Sequence, residues 1–220
     1  MPFLDRTDAG RKLAKALAAY KTRKPVVLAL PRGGVPVAAE IAAALDSPLD
    51  LILVRKIGVP FQPELAMGAV VAGAEPVTVR NEDVIRLTHV SASEFDAIRD
   101  QELAEIDRRR QRYLGDRPHP KIAGRVVIVV DDGIATGATT RAALRATRLR
   151  QPSKLVLAVP VAPTATLQEL RGEADAIVCL EDYEDFGAIG FFYSDFAQVS
   201  DAEVIEILAR HPVKSDTISG

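Results

Sequence analysis

The stretch Val126–Thr140 constrains this chain more tightly than any other. Val126-Val127-Ile128-Val129-Val130 is its most strongly strand-like run, and Asp131-Asp132 follows at once. In open α/β folds the carboxyl ends of such strands form the edge where ligands bind. Gly133-Ile134-Ala135-Thr136-Gly137-Ala138-Thr139-Thr140 then turns into a helix. Small residues there let backbone N–H groups approach an anion, the helix start adds its dipole, and threonine hydroxyls can donate to phosphate oxygens. Two carboxylates accept hydrogen bonds but repel a phosphate placed too close. The combination suits a sugar phosphate, with hydroxyls on the acids and the phosphate in the turn. An ordinary strand–helix junction with a threonine cap and two solvated acids would use some of the same residues. The whole string favours the ligand reading.

Around this stretch, apolar runs alternate with helical patterns, which predicts an α/β fold with a largely parallel twisted sheet flanked by helices. A helix is expected from Thr7 to Tyr20, a buried strand over Val26–Leu30, and a turn Pro31-Arg32-Gly33-Gly34 opening an Ala-rich helix to Leu45. Asp50–Val54 reads as the next strand. Ile57–Glu64 carries Gly58, Pro60 and Pro63 and reads as a loop. Leu65–Ala72 and Pro76–Val79 look like an antiparallel pair, and caps at Asn81 and Ser91 open helices that run to Leu114. After Val126–Val130 come a helix to Arg150, a strand at Lys154–Val159, a helix at Thr164–Leu170 and a strand at Asp175–Leu180. An aromatic-rich loop, Tyr183–Phe196, and a helix from Asp201 to Ala209 complete the pattern. The expected organisation is an α/β core of residues 1–80 and 121–182, a helical insertion of 81–120, and a C-terminal hood segment with a helix over 183–220.

Composition narrows the function classes. Hydrophobic content of 48% and charged content of 26% are those of a globular chain with a proper core. A net charge of -2 supplies no general attraction to nucleic acid or anionic membrane, so a phosphate site must be local. No apolar run approaches the ~20 residues that span a bilayer, and the N-terminal residues lack a secretory pattern. The single cysteine, Cys179, sits in an apolar run as a strand thiol and suits a reducing compartment. A cytoplasmic location is the expectation. Arg108, Arg109, Arg110 and Arg112 lie near Glu102, Glu105 and Asp107, which predicts ion pairs on a solvated helix rather than a nucleic-acid patch. His89, His119 and His211 lack metal-site spacing. No G-x-G-x-x-G follows the first strand, which argues against a dinucleotide site.

VVIVVDDGIATGATT resembles the 5-phosphoribosyl-1-pyrophosphate signature of type I phosphoribosyltransferases. The resemblance implies that Asp131 and Asp132 hold the ribose hydroxyls, and that Ala135, Thr136, Gly137, Ala138, Thr139 and Thr140 hold the 5′-phosphate. Gly133 departs from the family, which usually has an aliphatic residue there. PRGGVPVA, from Pro31, resembles the family's pyrophosphate loop, with Arg32, Gly33 and Gly34 meeting the leaving group and a cis peptide entering Arg32. VRKIG, from Val54, precedes the position of the family's lid, where Arg55 and Lys56 would neutralise pyrophosphate. Together the three motifs look like a bacterial phosphoribosyltransferase subgroup.

Catalysis would then rest on Arg32, Lys56, Asp131 and Asp132. Magnesium is expected with the donor, on phosphate oxygens and water, with no direct protein ligand named and the two aspartates reaching it only through water. The accepting base is nucleobase-like. Ala135 stands where enzymes for 6-oxopurines place an acid, and the loop lacks the extra Lys and His of the orotate branch, so both acceptors are disfavoured. Candidate base contacts are Ile134, Glu64 as a lid carboxylate, and Phe186, Phe192 and Tyr193, for which core packing is the competing reading. The fold also hosts sensors of the same donor, which leaves a non-catalytic regulator open. A homodimer is the family's habit.

Overall fold

The computed structural model describes residues 2–72 and 76–213. Its strands are β1 (Val26–Ala29), β2 (Leu49–Leu51), β3 (Val54–Val59), β4 (Gln62–Val71), β5 (Val77–Arg80), β6 (Val126–Val130), β7 (Lys154–Pro163) and β8 (Ala176–Tyr183). The helices are α1 (Arg6–Ala16), α2 (Gly34–Leu45), α3 (Glu82–Thr88), α4 (Ala92–Leu114), α5 (Ala138–Leu149), α6 (Thr164–Leu170) and α7 (Asp201–Arg210). Residues 1 and 73–75 of the expected core and 214–220 of the expected C-terminal segment lie outside the described residues.

Five strands form a parallel sheet in the order β2-β1-β6-β7-β8. All five residues of β6 are buried, because side chains on both faces meet helices. Val27, Ala29, Ile128 and Val130 pack with Leu13, Val35 and Ile41 of α1 and α2. Val26, Leu28, Val127 and Val129 pack instead with Ala142, Ala143 and Leu144 of α5. The alternation follows from the period of two along a strand.

Two sequence expectations give way here. Asp50–Val54 is not one strand: β2 ends at Leu51, and the chain leaves the parallel sheet to begin β3 at Val54 in a second sheet, ordered β3-β4-β5. Ile57–Glu64 is not a loop either. It forms the tip of the antiparallel β3–β4 hairpin, in which Val59 pairs with Gln62 around Pro60-Phe61. Its backbone breakers serve as punctuation inside the sheet. The register shifts on either side of Gly58, and a Cβ there would lie 2.5 Å from the Pro63 carbonyl oxygen, so Gly58 and Pro63 make an irregular, closely crossed stretch that ordinary strand residues could not.

This second sheet is covered on both sides. Met67 and Val70 join the cluster containing Phe95 and Ile106 of α4, whereas Ala69 and Val71 join the one containing Ala142 and Ala146 of α5. Asn81 caps α3 by accepting from the Val84 N–H, and Ser91 with Glu94 forms a reciprocal capping box on α4, each such cap contributing about 1 kcal/mol. The first helix ends at Ala16, earlier than its periodicity suggests, and continues as a 3-10 turn over Ala18–Arg23. Three arginines of α4 pair as expected, Arg108 and Arg109 with Glu105 and Arg110 with Asp107, whereas Arg112 pairs with Asp201 of α7 and Glu102 with Arg55 of β3. Among the described residues, no helix is long and apolar enough to cross a membrane.

Candidate active site

Two adjacent parallel strands, β1 and β6, deliver the turns that follow them to one edge of the sheet. Leu30 N–H bonds the Val130 carbonyl at 2.9 Å, which aligns the ends of the two strands. Beyond them the Pro31-Arg32-Gly33-Gly34 turn lies against Asp131-Asp132. A Cβ on Gly33 would fall 2.0 Å from Asp132 Oδ2, and one on Gly34 would fall 2.7 Å from the Val130 carbonyl oxygen and 2.9 Å from Asp131 Cα. Glycine is required here for space: Gly33 has φ −60° and ψ −35°, which any residue adopts. The Pro31–Arg32 peptide is cis.

The two aspartates have unequal surroundings. Asp132 is buried, and its Oδ2 accepts from Arg6 Nε at 2.8 Å. The hydroxyl of Tyr193 donates to the Asp132 carbonyl at 2.6 Å. Asp131 Oδ1 accepts the Asp132 N–H at 2.9 Å. Burial, reinforced by the neighbouring Asp132 charge, pushes the Asp131 carboxyl well above its ordinary range, against the pull of that N–H and of Arg6. Burial also raises the Tyr193 hydroxyl, and Asp132 adds to the effect.

After the acids, Ile134 N–H bonds the Val161 carbonyl at 3.0 Å and its side chain enters the core, 2% exposed. Ala135, Thr136, Ala138 and Thr139 are exposed, while Gly137 and Thr140 are buried. Gly137 adopts φ +73°, and a Cβ there would lie 2.8 Å from Thr166 Cγ2, so the turn into α5 needs glycine on both counts. Thr166 Oγ1 donates to the Ala135 carbonyl at 2.9 Å and braces the turn from α6. At Gly133, a Cβ would meet Ile189 Cγ2 at 2.6 Å. Ile189 thus fills the space that a side chain at position 133 would need.

The remaining candidates lie farther out. Arg32 Nη1 stands 3.5 Å from Asp201 Oδ1, a carboxylate that also accepts from Tyr113 and pairs with Arg112. The Tyr113 hydroxyl, with Arg112 and Arg32 adding, holds Asp201 below the usual carboxylate range. Arg55 pairs with Glu102 of α4 at 2.6 Å, and Lys56 with Glu64 at 3.0 Å. Both line a separate cleft of about 450 Å³ between the β3–β4 hairpin and α4. Glu64 faces that cleft with its side chain 96% exposed.

Phe186 and Phe192 stack with ring centroids 4.9 Å apart. Tyr193 is buried between Phe3 and Phe196, at 5.3 Å and 4.9 Å, so its link to the acidic pair runs through its hydroxyl rather than a ring face. Among the described residues, no group of three or more His, Cys, Asp and Glu could hold a metal ion. Sequence reasoning missed Arg6, Ile189 and Asp201. Arg6 and Asp132 are 126 positions apart, and no local spacing marks such a pair.

The family model described as the phosphoribosyl transferase domain matches residues 4–196. Two proteins of Mycobacterium tuberculosis, from strains CDC 1551 / Oshkosh and ATCC 25618 / H37Rv and each named "Putative phosphoribosyl transferase", are 49% identical over 208 residues, 94% of this chain. The chain spans 46% of each of those relatives, slightly under half their length. The crystal structure of TT1426 from Thermus thermophilus superposes with a TM-score of 0.86 at 41% identity, covering 97% of this chain and 100% of that one. With the domain match extending over most of its length, the chain belongs to the phosphoribosyl transferase domain family.

Proposed function

We propose that the chain binds 5-phosphoribosyl-1-pyrophosphate and transfers its phosphoribosyl group to a nucleobase-like acceptor, releasing pyrophosphate in the cytoplasm. One observation carries the reading: the glycine turn after β1 and the carboxylates after β6 are in van der Waals contact at the edge where the Gly-Thr turn opens α5. Asp131 and Asp132 would hold the ribose diol. Ala135 to Thr140 would take the 5′-phosphate on backbone N–H groups and threonine hydroxyls. Arg32 with Gly33 and Gly34 would meet the pyrophosphate.

In the reaction the bond from ribose C1 to the pyrophosphate oxygen breaks, and the electron pair leaves with pyrophosphate. A bond from C1 to an acceptor nitrogen forms, and that nitrogen gives up its proton. Charge builds on the sugar as an oxocarbenium and on the leaving group, by analogy with glycosyl cleavage. Fixed countercharges serve such a step better than water does. Magnesium would enter as part of the donor, on its phosphate oxygens, and neutralise the departing pyrophosphate. The helices of 81–120 and the aromatic segment after β8 would form the hood over the acceptor, with Phe186 and Phe192 nearest in kind to a base.

A second reading, a donor sensor without turnover, is favoured by the pairing of Arg55 with Glu102 and of Lys56 with Glu64, which engages both lid cations. Incubation of the protein with magnesium, the donor and a panel of nucleobases separates the two. Pyrophosphate release with any base supports the transferase. Binding of the donor without release across the panel supports the sensor, and no binding at all refutes both.

A further inference from the structure

We propose that Arg6 is a fixed countercharge and positioning residue for the Asp132 carboxylate, so that the start of α1 forms part of the donor site. The proposal rests on the donor reading above. Three contacts, one to Asp132 and two to the adjacent residues Phe196 and Ala197, hold the guanidinium. Nε donates to Asp132 Oδ2 at 2.8 Å, Nη1 donates to the Ala197 carbonyl at 2.7 Å, and the guanidinium carbon lies 3.9 Å from the centre of the Phe196 ring. The side chains of Arg6 and Asp132 are 12% and 11% exposed. A side chain pinned on its plane and along its edge is a fixture and not a swinging plug.

The backbone that carries Arg6 is fixed as well. Asp5 caps α1 by accepting from the Asp8 N–H, and Phe3 N–H bonds the Phe192 carbonyl while the Phe3 carbonyl accepts from Ser194 N–H. Arg6 therefore sits on a short ladder between the N-terminal residues and the segment after β8.

The chemistry of the donor explains why such a charge is needed. Two adjacent carboxylates must accept hydrogen bonds from a diol whose molecule carries several phosphate charges, and each carboxylate repels those phosphates. The groups facing Asp132 are Asp131 beside it, Arg6 from α1, the Tyr193 hydroxyl on its carbonyl, and Gly33 of the turn after β1. Arg6 supplies the positive charge in that set, since Arg32 of the same turn is directed to Asp201. Its single contact to Oδ2 fixes the carboxylate against Gly33 and balances it without covering the whole group.

The test is the affinity of the magnesium–donor complex, measured by calorimetry for the wild type, Arg6→Gln and Arg6→Lys, beside thermal melts of each. Arg6→Gln is expected to weaken binding about tenfold to a hundredfold, the range for loss of a hydrogen bond to a charged group. Arg6→Lys keeps the charge but gives up the contact to the Ala197 carbonyl and the stacking on Phe196, and is expected to bind within about tenfold of wild type and more tightly than Arg6→Gln. Equal affinity of Arg6→Gln and wild type overturns the proposal. Equal weakening in the Gln and Lys variants overturns it too, since a purely structural side chain would behave that way. If Arg6→Gln does not fold, Arg6→Lys decides: binding within about tenfold of wild type supports the countercharge, and a greater loss refutes it. A wild type that binds no donor refutes the donor reading itself, a result distinct from all of these.

Discussion

Substituting Gly33 with alanine tests the contact on which the site depends. The backbone there is ordinary, with φ −60° and ψ −35°, so alanine meets no conformational penalty and by itself would gain about 0.4–1 kcal/mol through the unfolded state. The cost is entirely spatial. The new Cβ would stand 2.0 Å from Asp132 Oδ2 and 2.4 Å from its Cγ, and a relaxed carbon–oxygen contact of about 3.3 Å requires the two to part by more than about 1 Å. The carboxylate cannot yield in place, because Arg6 holds its Oδ2 at 2.8 Å. Either Asp132 rotates away from Arg6 or the Pro31–Gly34 turn shifts from the sheet edge. Overpacking of this kind costs about 1–3 kcal/mol, which after the backbone gain leaves a fall in melting temperature of up to about 10 °C for a chain of this size. Donor affinity should suffer more. Loss of the Arg6–Asp132 bond removes a charge-assisted contact, and the donor should bind about tenfold to a hundredfold more weakly. Calorimetric titration with the magnesium–donor complex, beside a thermal melt, reads both effects. Gly172→Ala is the control, since a Cβ there meets nothing within 4 Å. A Gly33→Ala protein that melts and binds like the wild type would refute the packed contact between the turn and the acidic pair.

Asp131→Asn should cost little stability, because burial already disfavours the ionised form in the folded chain, whereas Asp132→Asn strands the Arg6 guanidinium and should cost up to about 3–5 kcal/mol. Urea melts measure the contrast, and the double variant should bind no donor; retained tight binding sinks the ribose assignment. Tyr193→Phe removes the donor to the Asp132 carbonyl and should lower stability by about 1–3 kcal/mol; an unchanged urea midpoint would show that bond to be idle. Burial raises the Cys179 thiol from 9.0 to about 11, so its thiolate at pH 8 is about a hundredfold scarcer and its rate with a disulfide reagent should climb through pH 10. A plateau below pH 9 would contradict this. Gly133→Val should collide with Ile189 at a cost of about 1–3 kcal/mol, and Ile189→Ala in the same chain should recover at least about 0.5 kcal/mol of it. Strict additivity in that cycle would show that the two positions do not share space.

The sheet and the acidic signature were legible in the sequence for one reason. A central parallel strand is buried on both faces, so β6 is written as an unbroken β-branched run, and the turn that follows it is built from contiguous residues. Helix starts were legible at Asn81 and Ser91 because a cap is a local bond to the third residue on. The β3–β4 hairpin was not, because Gly58, Pro60 and Pro63 ordinarily end structure and here shape a bulge and a two-residue turn inside it. The split of Asp50–Val54 between sheets was hidden too, since Leu51–Val54 are apolar throughout while only the hydrogen-bonding partner changes: Ile52 N–H goes to Ala29, and the Leu53 carbonyl accepts from Ala72. Arg6 and Asp201 left no trace, as each reads locally as a charge in the first turn of a helix.

That last group shares an origin. Arg6 reaches Asp132, Ile189 fills the space beside Gly133, Tyr193 bonds the Asp132 carbonyl and Asp201 meets Arg32. All four come from segments near the chain's two ends, which are joined by the Phe3 bridge to Tyr193 and the packing of Phe3 on that ring. The motif residues of the central strands supply carboxylates, glycines and amides, groups that bind a sugar phosphate but cannot balance their own charge in a buried crevice. The compensating charge for Asp132 comes from elsewhere in the fold: Arg6, on a segment that wraps the sheet edge, provides it. A motif therefore shows where a ligand can sit, while the energy that keeps paired carboxylates and an arginine in place there is written in residues that no motif includes.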